Sequence, residues 1–183
     1  MTTANKITLV RIAMIPFFIV VALWDFPSHN YVAAVIFAVA AFTDSLDGYV
    51  ARHYNQVSDF GKFADPLADK FLVVAALLIF VERGQMASWA CFLVVAREFA
   101  VTGLRLIAME RGGTVIAAAM SGKVKTASSI VCCILMFMPF HAYSFAGNWL
   151  TVDNICVAVI VITTLYSGIQ YFISGKEHLS FKN

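Results

Sequence analysis

The sequence predicts an all-α polytopic membrane protein in which six transmembrane helices form one bundle. Of its 183 residues, 61% are hydrophobic and only 13% are charged, which is more apolar than a soluble domain of this length. Apolar segments close to the roughly 20 residues that a spanning helix needs occur six times along the chain. The connections between them are short, so successive helices are expected to pack as antiparallel neighbours.

The six segments follow one another with little chain between them. The first three, 7–24, 31–53 and 60–81, are separated by DFPSHN and HYNQVSD. The last three, 87–110, 119–140 and 149–173, are preceded by ERGQ, ERGGT and HAYSFAGN. These connecting stretches carry the Gly, Pro, Asn and Ser that are typical of turns. Because no linker, repeat or low-complexity segment interrupts the pattern, we expect a single domain over residues 1–183.

Basic residues in the connections set the expected orientation. Arg83 is the only basic residue in the loops of one side, whereas the other side carries Lys6, Arg11, Arg52, Lys62, Arg111, Lys123, Lys125, Lys176 and Lys182. Cytoplasmic loops carry the excess of Lys and Arg. Both termini are therefore expected in the cytoplasm.

Charge and cysteine usage exclude several classes of protein. The net charge is only +2, and no basic run suggests a nucleic-acid partner. The four cysteines lie in apolar runs without a C-x-x-C spacing, so we interpret them as small buried hydrophobic residues. The histidines never pair as H-x-x-x-H, which argues against a zinc site.

Four aspartates interrupt segments that otherwise suit lipid: Asp44, Asp47, Asp65 and Asp69. A charged side chain at the bilayer centre costs about 2.5 to 3.5 kcal/mol on the insertion scale. One interpretation is that they face water at helix ends, since DG is also a turn signal. The alternative is that they converge on one functional site.

Spacing favours convergence of the aspartates. Asp44 and Asp47 are three residues apart and Asp65 and Asp69 are four apart, so each pair lies on one helix face, and HYNQVSD brings the two helices together. Four carboxylates without histidine are suited to two Mg²⁺ or Mn²⁺ ions. Such a site beside a membrane indicates phosphoryl transfer from a diphosphate. Gly48 and Gly61 leave room for a nucleotide near the backbone, although Gly48 could instead be a helix-packing glycine.

The same region carries a family signature. Asp44-x-x-Asp47-Gly48-x-x-Ala51-Arg52, eight residues, and then Gly61-x-x-x-Asp65-x-x-x-Asp69 resembles the CDP-alcohol phosphotransferases at all eight fixed positions. The resemblance implies a six-helix membrane enzyme that displaces CMP from a CDP-activated alcohol. It implies that Asp44 and Asp65 bridge two metal ions, that Asp47 binds one, and that Asp69 binds the other and acts as general base. It further implies contacts to the CDP moiety by Asn5, Thr8, Gly48, Arg52, Ser58 and Gly61.

Further cations bear on the second substrate: Arg97, Arg105, Lys123 and Lys125. They can form an anion pocket for an acceptor that carries its own phosphate. Alternatively, Arg97 pairs with an active-site aspartate or with Glu98, and the two lysines extend to lipid headgroups. The stretches DPLADK, AREFAVTGLR, GKVKT and SGIQYF are similar to those of the bacterial phosphatidylglycerophosphate synthases within this family. That similarity implies sn-glycerol 3-phosphate as the acceptor.

The resemblance also implies the setting of the reaction. CDP-diacylglycerol would enter from the cytoplasmic leaflet of a bacterial inner membrane, and the enzyme would be a homodimer surrounded by membrane lipids. The alanine-rich stretch YVAAVIFAVAA would permit close helix contact. Three alternatives remain: the same chemistry with another acceptor for cardiolipin, phosphatidylserine or phosphatidylinositol phosphate synthesis, a divalent-cation carrier, and a structural membrane subunit.

Overall fold

The computed structural model describes residues 3–53, 59–110, 120–138, 144–145 and 150–176, with side chains for residues 10, 12–43, 70–104, 120–138 and 151–173. All of its long elements are helices. They are α1 (Thr3–Leu23), α2 (His29–His53), α3 (Asp59–Glu82), α4 (Ser88–Glu110), α5 (Met120–Phe137) and α6 (Val152–Lys176). Between α5 and α6 lie two short strands, β1 (Ser144–Phe145) and β2 (Leu150–Thr151), which pair antiparallel.

The predicted all-α class and the order of six helices are confirmed. Most predicted boundaries lie within a few residues of the observed ones, because Gly, Pro, Asn and Ser mark the connections. The largest difference is at the start of α1, which begins at Thr3 and not at residue 7, and the two helix ends on either side of the connection between α5 and α6 differ by three residues each. The fifth segment was expected to reach residue 140 and the sixth to begin at 149, but α5 ends at Phe137 and α6 begins at Val152. Between these two helices the structure describes the short strand pair of β1 and β2.

Two of the described helical stretches, Met120–Phe137 and Val152–Ile173, are long and apolar enough to cross a membrane. Two shorter apolar stretches, Ile12–Leu23 and His29–Thr43, lie within α1 and α2. The outward face of α6 is apolar along its length: Ile155, Ile162, Leu165, Tyr166, Ile169, Phe172 and Ile173 are all exposed. A continuous exposed apolar face of this kind indicates a membrane protein.

A cluster of four phenylalanines fills the bundle at the end where α1 finishes and α2 starts, which we call the outer end. Phe18, Phe37, Phe80 and Phe137 come from four different helices and are fully buried. The Phe137 ring lies 4.6 Å from Phe80, 5.5 Å from Phe18 and 6.2 Å from Phe37, measured between centroids. Tilted and edge-on rings at these distances add to the stability that burial provides. The outer end is therefore a closed core.

The loop between α3 and α4 closes two helix ends of this core. Gly84 has a φ of +71°, the left-handed conformation that glycine adopts readily at helix ends. Arg83 donates to the carbonyl oxygen of Ala22 in the last turn of α1, and Gln85 donates to that of Met136 in the last turn of α5. The last carbonyls of a helix have no intrahelical partner. One loop thus satisfies acceptors on two other helices.

Arg83 has two further partners. These contacts explain why a basic residue occurs in the loops on this side of the chain. Its Nη1 donates to Asn30 at 2.8 Å, and its guanidinium carbon lies 5.5 Å from the centroid of the Phe137 ring. Burial lowers the pKa of Arg83 from its ordinary value, and the charge of Glu82 opposes this shift. The residue is a structural cap and connects α1, α2 and α5.

The start of α6 is also fixed by polar contacts. The Thr151 hydroxyl accepts a hydrogen bond from the backbone N–H of Asn154 at 3.2 Å, as a helix N-cap does. Asp153 is buried in the first turn and accepts from Gln85 at 3.2 Å. A carboxylate is favourable at this end of the helix dipole. This contact joins α6 to the loop that caps α1 and α5.

Two expectations about small residues can be compared with the structure. The four cysteines are buried and free, as predicted. The alanine-rich part of α2 packs closely inside the chain, since Ala33, Ala34 and Ala40 are buried among its own helices. The expected close helix contact is therefore made within the chain, and contact with a second subunit stays a prediction.

Candidate functional site

The acidic residues lie on two helices that follow each other in the chain. Asp44 and Asp47 fall in the last three turns of α2, and Asp65 and Asp69 fall in the first three turns of α3. Both stretches have helical backbone, so the spacings of three and four residues place each pair on one helix face. Their side chains lie outside the described residues.

Five of the six residues predicted to contact the CDP moiety lie in helix turns at the end of the bundle opposite the phenylalanine core, which we call the inner end. Asn5 and Thr8 belong to the first two turns of α1, Gly48 and Arg52 to the end of α2, and Gly61 to the start of α3. Helix α1 packs against both α2 and α3. The side chains of these residues, and Ser58 as a whole, lie outside the described part of the chain.

Three charged residues form a network between α4 and α5. One oxygen of Glu98, Oε1, accepts from Arg97 Nη1 at 2.8 Å and from Lys125 Nζ at 2.7 Å. The side chains of Arg97 and Glu98 are 14% and 16% exposed, and that of Lys125 is 6% exposed. Removing charges from water is costly unless they are paired and hydrogen-bonded. Glu98 therefore allows both cations to remain within the bundle.

Helix α6 completes the network from the other side of Arg97. Arg97 Nη2 donates to the hydroxyl of Ser167 at 2.8 Å, and Ser167 in turn donates to the carbonyl oxygen of Thr164. A Cβ added at Gly168 would lie 3.3 Å from Arg97 Cγ. The stem of Arg97 thus crosses α6 at the position where that helix has no side chain.

The structure distinguishes among the four cations of the predicted acceptor pocket. Arg97 pairs with Glu98, which was one of the alternatives considered from the sequence. Lys125 is buried and bonded to Glu98, so the expectation that it extends to lipid headgroups is wrong. Lys123 is exposed, and the side chain of Arg105 lies outside the described residues.

A small cavity of about 30 Å³ adjoins the network, which is room for a water molecule. Three charged residues at its edge, Lys70, Glu98 and Lys125, come from α3, α4 and α5, and the rest of the lining is mostly valine and leucine. Lys70 follows Asp69 directly in the chain. The cavity therefore lies between the Glu98 network and the part of α3 that directly follows the acidic motif.

Two larger concave surfaces lie at the outer end. One, of about 500 Å³, is lined by residues 25–31, and the other, of about 390 Å³, by His29, Asn30, Arg83 and Gln85. Both are open, and the second includes Arg83 and Gln85, which cap α1 and α5. They lie at the opposite end of α2 and α3 from the aspartates and are not the predicted site.

Sequence reasoning missed Ser167 and Gly168 as contributors to this region. SGIQYF was noted only as part of a resemblance. The available signal was a pair of small residues in an apolar helix, which permits close approach of a neighbouring element. Glu98 was considered only as a partner of Arg97, because nothing in a single sequence places Lys125, 27 residues away, beside it.

The four aspartates of the motif provide ligand atoms that suit divalent cations. The four aspartates provide oxygen ligands alone, which Mg²⁺ and Mn²⁺ prefer, and they lie on consecutive helices joined by five residues. Among the side chains that the structure describes, no group of three His, Cys, Asp or Glu residues could hold a metal ion.

Comparison with known proteins identifies the family. The model of the CDP-alcohol phosphatidyltransferase family matches residues 1–166. The chain belongs to this family. The match includes all four aspartates and the three charged residues of the Glu98 network. It ends one residue before Ser167.

Curated relatives are similar to this family member over nearly its whole length. A protein of Bacillus subtilis (strain 168) named CDP-diacylglycerol--glycerol-3-phosphate 3-phosphatidyltransferase is 41% identical over 194 residues, covering 98% of this chain and 97% of its own. A protein of the same name from Escherichia coli (strain K12) is 36% identical, covering 94% of each chain. A probable phosphatidylglycerophosphate synthase of Mycobacterium tuberculosis (strain ATCC 25618 / H37Rv) is 35% identical, covering 92% of this chain and 78% of its own.

Proposed function

We propose that this chain transfers the phosphatidyl group of CDP-diacylglycerol to sn-glycerol 3-phosphate, which yields phosphatidylglycerol phosphate and CMP. The observation that carries the proposal is the joint presence of the acidic motif on α2 and α3 and a cationic network on α4 and α5. The first suits a diphosphate bound through metal, and the second suits an acceptor that is itself an anion. The names of the relatives, which are similar over nearly the whole chain, support the same substrates.

The proposed metal ligands are Asp44, Asp47, Asp65 and Asp69. Two bound Mg²⁺ or Mn²⁺ ions would neutralise the diphosphate and stabilise the charge that develops on the phosphorus and the leaving group. Asn5, Thr8, Gly48, Arg52, Ser58 and Gly61 would hold the CDP moiety. Arg97, Arg105, Lys123 and Lys125 would form the acceptor pocket.

Asp69 is the proposed general base. It would take the proton from the 1-hydroxyl group of sn-glycerol 3-phosphate as the oxygen attacks the β-phosphorus of CDP-diacylglycerol. The bond between that phosphorus and the bridging oxygen breaks, and CMP leaves with the bonding electron pair. A positioned base of this type contributes about 10²- to 10⁴-fold to a rate.

We also propose the membrane arrangement that this reaction requires. All six helices would span a bacterial cytoplasmic membrane as a single domain, with both termini and the active site on the cytoplasmic side. Helix α4 carries Arg97, Glu98 and Arg105, so its low hydropathy reflects charges that serve the site. The family resemblance supports a homodimer.

The test is CMP release by the purified protein with CDP-diacylglycerol, Mg²⁺ and one acceptor at a time. Sn-glycerol 3-phosphate should support faster release than serine, inositol phosphate or phosphatidylglycerol. Equal release with serine would show that the acceptor is assigned wrongly, and no release with any acceptor would refute the transferase assignment.

A further inference from the structure

We propose that Ser167 and Gly168 of α6 are positioning residues for the acceptor site, because they fix Arg97 in the orientation in which it meets the acceptor phosphate. The proposal rests on the proposed function and extends it to a helix segment outside the family match, which ends at residue 166. It assigns a role to the pair SG in SGIQYF.

The two terminal nitrogens of Arg97 are held from opposite sides. Nη1 donates to Glu98 at 2.8 Å and Nη2 donates to Ser167 at 2.8 Å. The guanidinium group is planar, so two bonds at its two ends fix both its position and its rotation. A free arginine would lose considerable side-chain entropy on binding a phosphate. An arginine that is already fixed avoids that cost.

The contact between Gly168 of α6 and the stem of Arg97 leaves no free space. Gly168 leaves a Cβ-sized space that the aliphatic stem of Arg97 fills, with Cγ at 3.3 Å and Nε at 3.8 Å from the position of an added Cβ. A flexible arginine normally moves aside from an added methyl group at little cost. Here both ends of the guanidinium are held, so any displacement of the stem lengthens one of the two hydrogen bonds.

The groups that hold Arg97 against α6 are buried. Ser167 is 2% exposed, and Arg97 Nε is buried without an acceptor among the described atoms. An unsatisfied donor in this position is destabilising, so stability alone does not explain why the arginine is held here. Lys125, fixed by the same Glu98 oxygen, would provide the second preset positive charge of the site.

The experiment compares Ser167→Ala and Gly168→Ala with the wild-type protein in steady-state CMP release. Both variants should raise the KM for sn-glycerol 3-phosphate by about 5- to 20-fold, the effect of weakening one charge-assisted hydrogen bond. The KM for CDP-diacylglycerol should stay within about twofold, because that substrate is held elsewhere. Gly103→Ala is the matched control: it makes the same change in α4, where no described atom lies within 4 Å of an added Cβ.

A cycle with Arg97→Lys separates positioning from general structural damage. Lysine keeps the charge but lacks the two-ended donor group, so adding Ser167→Ala to Arg97→Lys should change the KM for sn-glycerol 3-phosphate by less than about twofold. Full additivity of the two changes would overturn the proposal. So would an unchanged KM in both α6 variants, or an equal rise in both KM values.

The measurement on the wild-type protein distinguishes a failure of the proposed function from a failure of the inference about α6. If the wild-type protein shows no release that depends on sn-glycerol 3-phosphate, the proposed function fails and this inference fails with it. If the wild-type protein uses that acceptor and the α6 variants behave like it, only the inference is refuted.

Discussion

Replacing Arg83 by alanine should destabilise the bundle without affecting its chemistry. The change removes the bond to Asn30 at 2.8 Å, the bond to the carbonyl oxygen of Ala22, and the contact with the Phe137 ring. A hydrogen bond to a charged group contributes about 1.5 to 3 kcal/mol, and an exposed cation–π contact about 0.5 to 1 kcal/mol. Because Arg83 is only partly buried, we expect a loss slightly below the lower end of this sum, about 3 kcal/mol.

Thermal unfolding in detergent is the suitable assay. For a chain of this size, about 1 kcal/mol corresponds to about 2 to 4 °C in Tm, so Arg83→Ala should melt about 6 to 12 °C lower. The exposed neighbour provides the control, since Glu82→Gln should stay within about 0.5 kcal/mol of the wild type. Turnover per folded molecule at 25 °C should be unchanged, because Arg83 lies at the end opposite the acidic motif.

The loss should also be the same at pH 6 and pH 9. Burial lowers the pKa of the Arg83 guanidinium, which favours the folded state as pH rises, but only in the interval just below the ordinary pKa of arginine, far above pH 9. An Arg83→Ala variant with the wild-type Tm would refute the assignment of Arg83 as a cap. A variant that lost turnover at full stability would place Arg83 in the active site.

Three further outcomes are expected. Asp69→Asn should reduce CMP release by at least about 100-fold while the Tm stays near that of the wild type; comparable turnover would exclude Asp69 as the base. Chelation by EDTA should abolish release, and Mg²⁺ or Mn²⁺ should restore it, whereas full activity in EDTA would refute the metal assignment. Phe137→Ala should cost about 3 to 5 kcal/mol in the free energy of unfolding, with a smaller loss for Phe137→Leu; equal losses would contradict the packing described for the aromatic cluster.

Local chemistry made most helix boundaries predictable from the sequence. Turn residues end α1, α3 and α4, and apolar runs of sufficient length define the helices between them. The connection between α5 and α6 was less predictable because its apolar residues continue the pattern of both helices. The pairing of Phe145 with Leu150 depends on how the chain reverses direction between the two strands. It produces no clear signal in the hydropathy of the sequence.

Contacts between distant residues could not be predicted from a single sequence. The bond from Arg83 to Asn30 joins residues 53 positions apart, and the bond from Arg97 to Ser167 joins residues 70 positions apart. Hydropathy and spacing indicate which residues share a helix face. They do not indicate how neighbouring helices are rotated relative to each other. Lys125 illustrates this, since its position near the end of an apolar helix favours exposure, whereas the observed packing buries it beside Glu98.

Glu98 is central because it follows Arg97 directly. Neighbouring residues on a helix diverge around its axis and do not usually form ion pairs. Here the divergence is useful: Arg97 extends to α6, Glu98 extends to α5, and one hydrogen bond between them couples the two directions. An ion pair with i, i+4 spacing would lie along one face of α4 and would leave either α5 or α6 without a polar tie. The adjacent pair therefore permits three helices to hold two cations in fixed positions within a largely apolar bundle.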